Sequence, residues 1–217
     1  MTLRPRYGAT ASSIPLTWAT ASGLVRRSTP GLGSNVLTTS AAGGVGYALA
    51  ALLRRYRVDH IVGGLGSASK AGGLADGVIG VERGTNFFAR AKDAAGGQLF
   101  DIILESIGGD VLANSLTEVA SGGTVISYGA AAAQKDAVTP TPGELRTRNV
   151  SLAGSSIINL SRTVPTATRN LIESVLALTE EDLVTPVPRI VPWEDAITAH
   201  VEQANGHGTR KTVVRIN

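Results

Sequence analysis

The stretch Ser40-Ala41-Ala42-Gly43-Gly44-Val45-Gly46 constrains the fold more than any other. A β-rich run, Val36-Leu37-Thr38-Thr39, precedes it. The segment that follows places Val45, Ala48, Leu49, Leu52 and Leu53 on one helical stripe. Strand, Gly-rich turn and amphipathic helix form the opening of a βα unit. The same alternation continues along the chain. Short β-rich runs lie at 60–63, 77–81, 100–106, 123–129 and 150–155. Between them, 85–94 and 110–119 have helical period, with Asp110 expected as an N-cap. Alternating strands and helices predict an α/β fold, a doubly wound and mainly parallel sheet covered on both faces.

Beyond Gly154 the pattern changes. A helix is expected from Pro165 to Leu178 with Leu171, Val175 and Leu178 on one face, and another from Pro192 through Ala196, Ile197 and His200 to about Ala204. The chain closes with a strand over 212–216, and 130–144, rich in Ala, Thr and Pro, reads as a loop. One domain, 1–217, accommodates everything: 1–35 is a lead-in segment and 205–217 carries the closing strand.

Composition removes several functional classes. A hydrophobic content of 43% with 17% charged residues suits a globular chain. Its apolar runs are too short to cross a membrane, and the first residues lack a signal peptide's apolar core, so a cytoplasmic location is expected. There is no cysteine, and the three histidines are scattered, which argues against disulfides, a cysteine nucleophile and a metal site. A net charge of +3 with 4% aromatic residues gives no nucleic-acid surface.

The Gly turn has the spacing A-x-G-x-x-G, a relaxed dinucleotide fingerprint. Gly43 would let backbone approach a pyrophosphate, Gly46 would let helix pack on strand, and the first helical amides would face the phosphates. The plain alternative is a tight strand–helix turn. The end of the second strand should select the cofactor: a carboxylate there suits NAD, neutral or cationic groups suit NADP. Between Gly63 and Lys70 there is no acid, whereas Ser67, Ser69 and Lys70 offer two hydroxyls and an ammonium. NADPH is the expected ligand; a solvated lysine in a loop is the alternative.

The stretches at 14–25, 36–46, 67–70, 100–116, 122–131 and 206–217 together resemble zinc-independent medium-chain dehydrogenase/reductases, in the branch of quinone oxidoreductases and enoyl reductases. That resemblance covers nearly the whole chain and implies a single Rossmann-type domain. It implies that Gly43, Gly44, Val45 and Gly46 hold the pyrophosphate, and Ser67 and Lys70 the 2′-phosphate. Ser106, Ile107 and Gly108 would lie beside the adenine ribose. Tyr128, Gly129 and Ala130 would approach the nicotinamide half, with Thr20 near the ring. It further implies hydride transfer from NADPH to a quinone, enone or other hydrophobic acceptor, and a homodimer through an edge strand at 150–157.

Three features depart from the family pattern. The chain is expected to begin near the family's interdomain junction and to lack the N-terminal domain that covers the nicotinamide, so that a separate chain or the dimer would complete the cleft. After Lys70, Gly72-Gly73 leaves room for barely one helical turn. Gly80-Val81 replaces an aromatic residue expected after the third strand.

Tyr47 and Tyr128 are the two phenols expected within reach of a ligand, each able to donate a proton or polarise a carbonyl, with core packing as the alternative. They and Thr20 are the candidate catalytic residues. Trp193 is expected as a packing anchor and His200 as a packed or surface residue. Three functions stay open: an NADPH-dependent reductase, a redox-silent isomerase or cyclase acting on a hydrophobic substrate in the open cleft, and a non-catalytic NADPH-binding subunit.

Overall fold

In the computed structural model, residues 8–131, 140–180, 186–206 and 211–216 are described. The chain begins with helix α1 (Gly8–Ser28) and strand β1 (Asn35–Thr38). The Gly turn leads into α2 (Gly44–Leu53), then β2 (His60–Leu65), a 3-10 segment (Ala68–Gly73), β3 (Val78–Glu82) and α3 (Phe87–Ala94). The second half of the sheet is built from β4 (Phe100–Glu105), α4 (Gly109–Glu118), β5 (Val119–Ser127), α5 (Pro142–Arg148) and β6 (Ser151–Gly154). Next come α6 (Ile157–Thr163), α7 (Pro165–Glu180), β7 (Arg189–Pro192), α8 (Ala196–Ala204) and β8 (Thr212–Arg215).

Six strands form one parallel sheet in the order β3-β2-β1-β4-β5-β6. The order reverses between β1 and β4, which opens a crevice at the strands' carboxyl ends, where ligands bind in such sheets. Because successive side chains point to opposite faces, neighbours along each strand enter different cores. Val36, Ile61, Ile102, Leu104 and Ile126 pack with α1 and α2 on one face. Leu37, Val62, Ile103 and Val125 pack with Phe87, Phe100, Leu112 and Leu116 on the other. Burial on both faces explains why these strands read as continuous apolar runs.

The largest surprise is α1. The segment expected as a lead-in is a helix that buries Ile14, Trp18, Leu24 and Val25 against α2 and the sheet. Its signal is weak in sequence because Thr, Ser and Ala fill much of the helix and Pro15 interrupts it. Leu24 is fully buried, so Leu24→Ala is expected to destabilise the protein by about 2–5 kcal/mol in a urea titration.

Other expectations need correction. Asp110 is not the N-cap of α4; that position belongs to Gly108 at φ +81°, and Asp110 lies inside the first turn. Part of the expected loop at 130–144 begins α5, whose start carries a capping box in which Thr141 and Glu144 exchange hydrogen bonds; residues 132–139 of that loop lie outside the described residues. Pro192 does not open a helix but ends β7, a strand not expected from sequence, and the 3-10 turn Trp193–Asp195 separates it from α8. The closing strand β8 does not join the main sheet; it pairs in parallel with β7. Trp193 is no packing anchor, being 63% exposed, and α8 buries Ala199.

Candidate functional site

Four stretches singled out in the sequence converge on the carboxyl edge of the main sheet: the Gly turn after β1, Ser67–Lys70 after β2, Ser106–Gly108 after β4 and Tyr128–Ala130 after β5. The Gly turn is tied down from below. The Ala41 amide donates to the Gly64 carbonyl at 2.9 Å, and the Tyr47 amide to the Gly43 carbonyl at 2.9 Å. Gly43 is the N-cap of α2, in extended conformation and without a side chain to occupy the first helical amides. A Cβ on Gly43 would meet only the Ser40 hydroxyl, at 4.0 Å, so the turn is open above. An open turn at a helix start, with its amides free of a capping side chain, fits an anionic ligand.

At the end of β2, Arg83 stands near Lys70, a second cation that the sequence did not suggest. The hydroxyls of Ser67 and Ser69 lie 2.8 Å apart. A Cβ on Gly66 would lie 3.2 Å from Arg83 Nη2 and 3.8 Å from Lys70 Nζ, so both cations stand near one point. Arg83 follows β3 and reaches back across the sheet edge, Nη1 donating to the Thr39 carbonyl at 2.9 Å. Burial lowers its guanidinium below the ordinary value, and the nearby Glu105 carboxylate opposes that shift. The side chain stays charged. After Lys70 the chain forms only the 3-10 segment, as Gly72 and Gly73 predict.

Glu105, the last residue of β4, is fully buried. Its Oε1 accepts from the amides of Ile107 and Gly108, the latter at 3.0 Å, and from the Thr39 hydroxyl at 3.5 Å. The same Thr39 hydroxyl accepts from the Ser106 amide at 3.0 Å. Across the crevice, the Ala131 amide donates to the Ser106 carbonyl at 3.0 Å, joining the loops after β4 and β5.

The candidate catalytic residues are dispersed. Tyr128 stands at the edge, but its hydroxyl turns inward beside Ser106 and Thr38, and burial pushes the phenol above its ordinary value. Gly129 and Ala130 are exposed above it. Tyr47 packs partly on the α1–α2 core and lines a hollow with Thr17, Trp18, Leu74 and Lys211. Thr20 donates to the Leu16 carbonyl at 2.6 Å and borders a hollow of about 270 Å³ at the end of β6, beside Gly154 and Ser155. The three hydroxyls therefore do not meet at one point.

Arg83 and Glu105 were missed by sequence reasoning. Glu105 stands in an apolar run, Ile102-Ile103-Leu104-Glu105, where a carboxylate needs partners to be buried; that was the available signal. Arg83 had none, since its reach over two strands is a tertiary property.

A family model described as zinc-binding dehydrogenase matches residues 75–214. Among curated proteins, the highly reducing polyketide synthase easB of Emericella nidulans is 26% identical over 216 residues, covering 96% of this chain but only 8% of the synthase. Among solved structures, a Pseudomonas syringae quinone oxidoreductase superimposes with TM-score 0.81 at 20% identity, over 100% of this chain and 67% of its own. A mycobacterial protein complexed with NADPH gives TM-score 0.80 at 22% identity, over 99% and 67%. At these identities the two structures show a shared fold. Despite the family's description, the described residues contain no cluster of His, Cys, Asp or Glu able to hold a metal ion. Nor do they contain a helix long and apolar enough to cross a membrane.

Proposed function

Because the chain belongs to the zinc-binding dehydrogenase family, we propose that it is the cofactor-binding part of an NADPH-dependent reductase acting on a quinone or an activated alkene. The observation that carries this reading is the corner at Gly66, where Arg83 and Lys70 stand near one point and no carboxylate occupies 63–70. Such a corner favours a 2′-phosphate over a bare ribose diol. The bound cofactor supplies the hydride. The chain's own residues orient it: the α2 amides receive the pyrophosphate, Ser106–Gly108 border the ribose, and Gly129 and Ala130 leave room for the nicotinamide half. Likeness to an NADPH complex and to a polyketide synthase supports the same reading.

The cleft needs a second wall, which we assign to a further protein domain. Trp193, Ile197 and Val201 follow one another at helical spacing, and each is more than half exposed. An apolar stripe of this kind marks an interaction surface. We further assign β6, the outer strand of the sheet, to pairing with a second copy through residues 150–157.

Calorimetric titration with NADPH, NADP+ and NADH tests the cofactor assignment. The phosphorylated forms are expected to bind at least about 100-fold more tightly than NADH, the worth of two charge-assisted contacts. Absence of binding at millimolar NADPH would overturn the reductase reading for this chain and favour non-redox chemistry in the open cleft.

A further inference from the structure

A buried carboxylate is costly to keep charged unless its surroundings answer it, and Glu105 is answered from two directions. On one side stand the amides of Ile107 and Gly108, which bend the loop after β4 inward and leave Gly108 at φ +81°. On the other stand the Thr39 hydroxyl and, beyond it, the Arg83 guanidinium lying on the Thr39 carbonyl. Thr39 is thus the hub: its hydroxyl binds the Ser106 amide and Glu105, and its carbonyl binds Arg83. Nothing about Glu105 reaches the surface, so it cannot itself touch a nucleotide.

We propose that Glu105 is a positioning residue for cofactor choice, holding Arg83 over the end of β1 so that the guanidinium and Lys70 together read a 2′-phosphate at Gly66. The proposal rests on the NADPH reading above. Arg83 carries a long, rotatable side chain, and its loss of freedom on ordering opposes binding. Docking on Thr39 beside a fixed negative charge removes much of that loss before the ligand arrives. The same carboxylate fixes the ribose loop, so removing it should have two separable effects. Loop disorder weakens every adenosine ligand, whereas release of Arg83 weakens only those with a 2′-phosphate.

The test compares the dissociation constants of 2′,5′-ADP and 5′-AMP in the unmodified chain, Glu105→Gln, Glu105→Asp, Arg83→Met and the double variant Glu105→Gln/Arg83→Met. Glu105→Gln is expected to reduce the preference for 2′,5′-ADP about tenfold, the worth of one charge-assisted contact. In the Arg83→Met background it should leave the preference unchanged, because the residue through which it acts is gone. Glu105→Asp keeps the charge and should keep the preference within about twofold, even if both affinities drop. Equal weakening of both ligands by Glu105→Gln, or an undiminished effect without Arg83, would reduce Glu105 to a loop support and overturn the proposal. If Glu105→Gln does not fold, loss of the preference in Glu105→Asp overturns it. A chain that binds 5′-AMP and 2′,5′-ADP equally before any substitution overturns the NADPH reading itself, a result distinguishable from the others.

Discussion

Gly46→Ala is expected to be the most damaging single substitution in the Gly turn. A Cβ at this position would sit inside the contact radius of the Ser40 carbonyl oxygen and 2.6 Å from Ala41 Cα. Both neighbours are backbone, so no side-chain rotation relieves the overlap. Either α2 lifts from β1 or the turn changes path. Lifting α2 would disturb Ala48, Leu49, Leu52 and Leu53, which lie in the core shared with α1. Overpacking against backbone at such a site costs about 3 kcal/mol. For a domain of this size that lowers the melting temperature by roughly 6–12 °C, measurable by circular dichroism. Gly43→Ala is the control: its Cβ enters open space, so the melting temperature should hold. Equal melting temperatures for the two variants would mean that α2 does not pack on β1 as described.

The contrast between these glycines shows how far the sequence could be read. Strand, turn and helix were legible because their pattern is local: a β-rich run, a Gly cluster and a 3.6-residue stripe each fit within about a dozen residues. The parallel sheet followed from repeating that pattern. What escaped the sequence was whatever depends on partners far along the chain. α1 carries a diluted apolar stripe, legible only once α2 and α7 are present to cover it. β7 is four residues long and leaves only Val191 buried, so Pro192 and Trp193 read like the start of a helix. Asp110 is not the N-cap because α4 already begins at Gly109, after Gly108 at φ +81°. At the site, Lys70 was visible as a cation near the end of a strand, but Arg83 lies beyond the next strand and reaches back. Spacing along the chain carries no record of such a reach.

Removing both cations of that corner should give the largest functional effect that leaves the fold intact. Lys70 lies in the 3-10 segment and Arg83 in the loop after β3, and neither contributes to the two apolar cores. Both cations lie within 4 Å of the point that a Cβ on Gly66 would occupy, so a 2′-phosphate bound there would receive two charge-assisted contacts, each worth about 1.5–3 kcal/mol. Lys70→Ala/Arg83→Met is therefore expected to raise the NADPH dissociation constant by about 100-fold or more. The constant for NADH should change by less than about threefold, because its adenosine ribose presents no phosphate to the corner. Salt offers an independent check. The corner is partly open to water, so NADPH affinity in the unmodified chain should weaken between 0.05 and 0.5 M salt, values about which the Debye length shortens from roughly 14 to 4 Å. In the double variant that dependence should flatten to the slope left by the pyrophosphate alone. If NADPH and NADH weaken equally, the two side chains support the loops rather than the phosphate. The preference for NADPH would then have to come from elsewhere on the sheet edge.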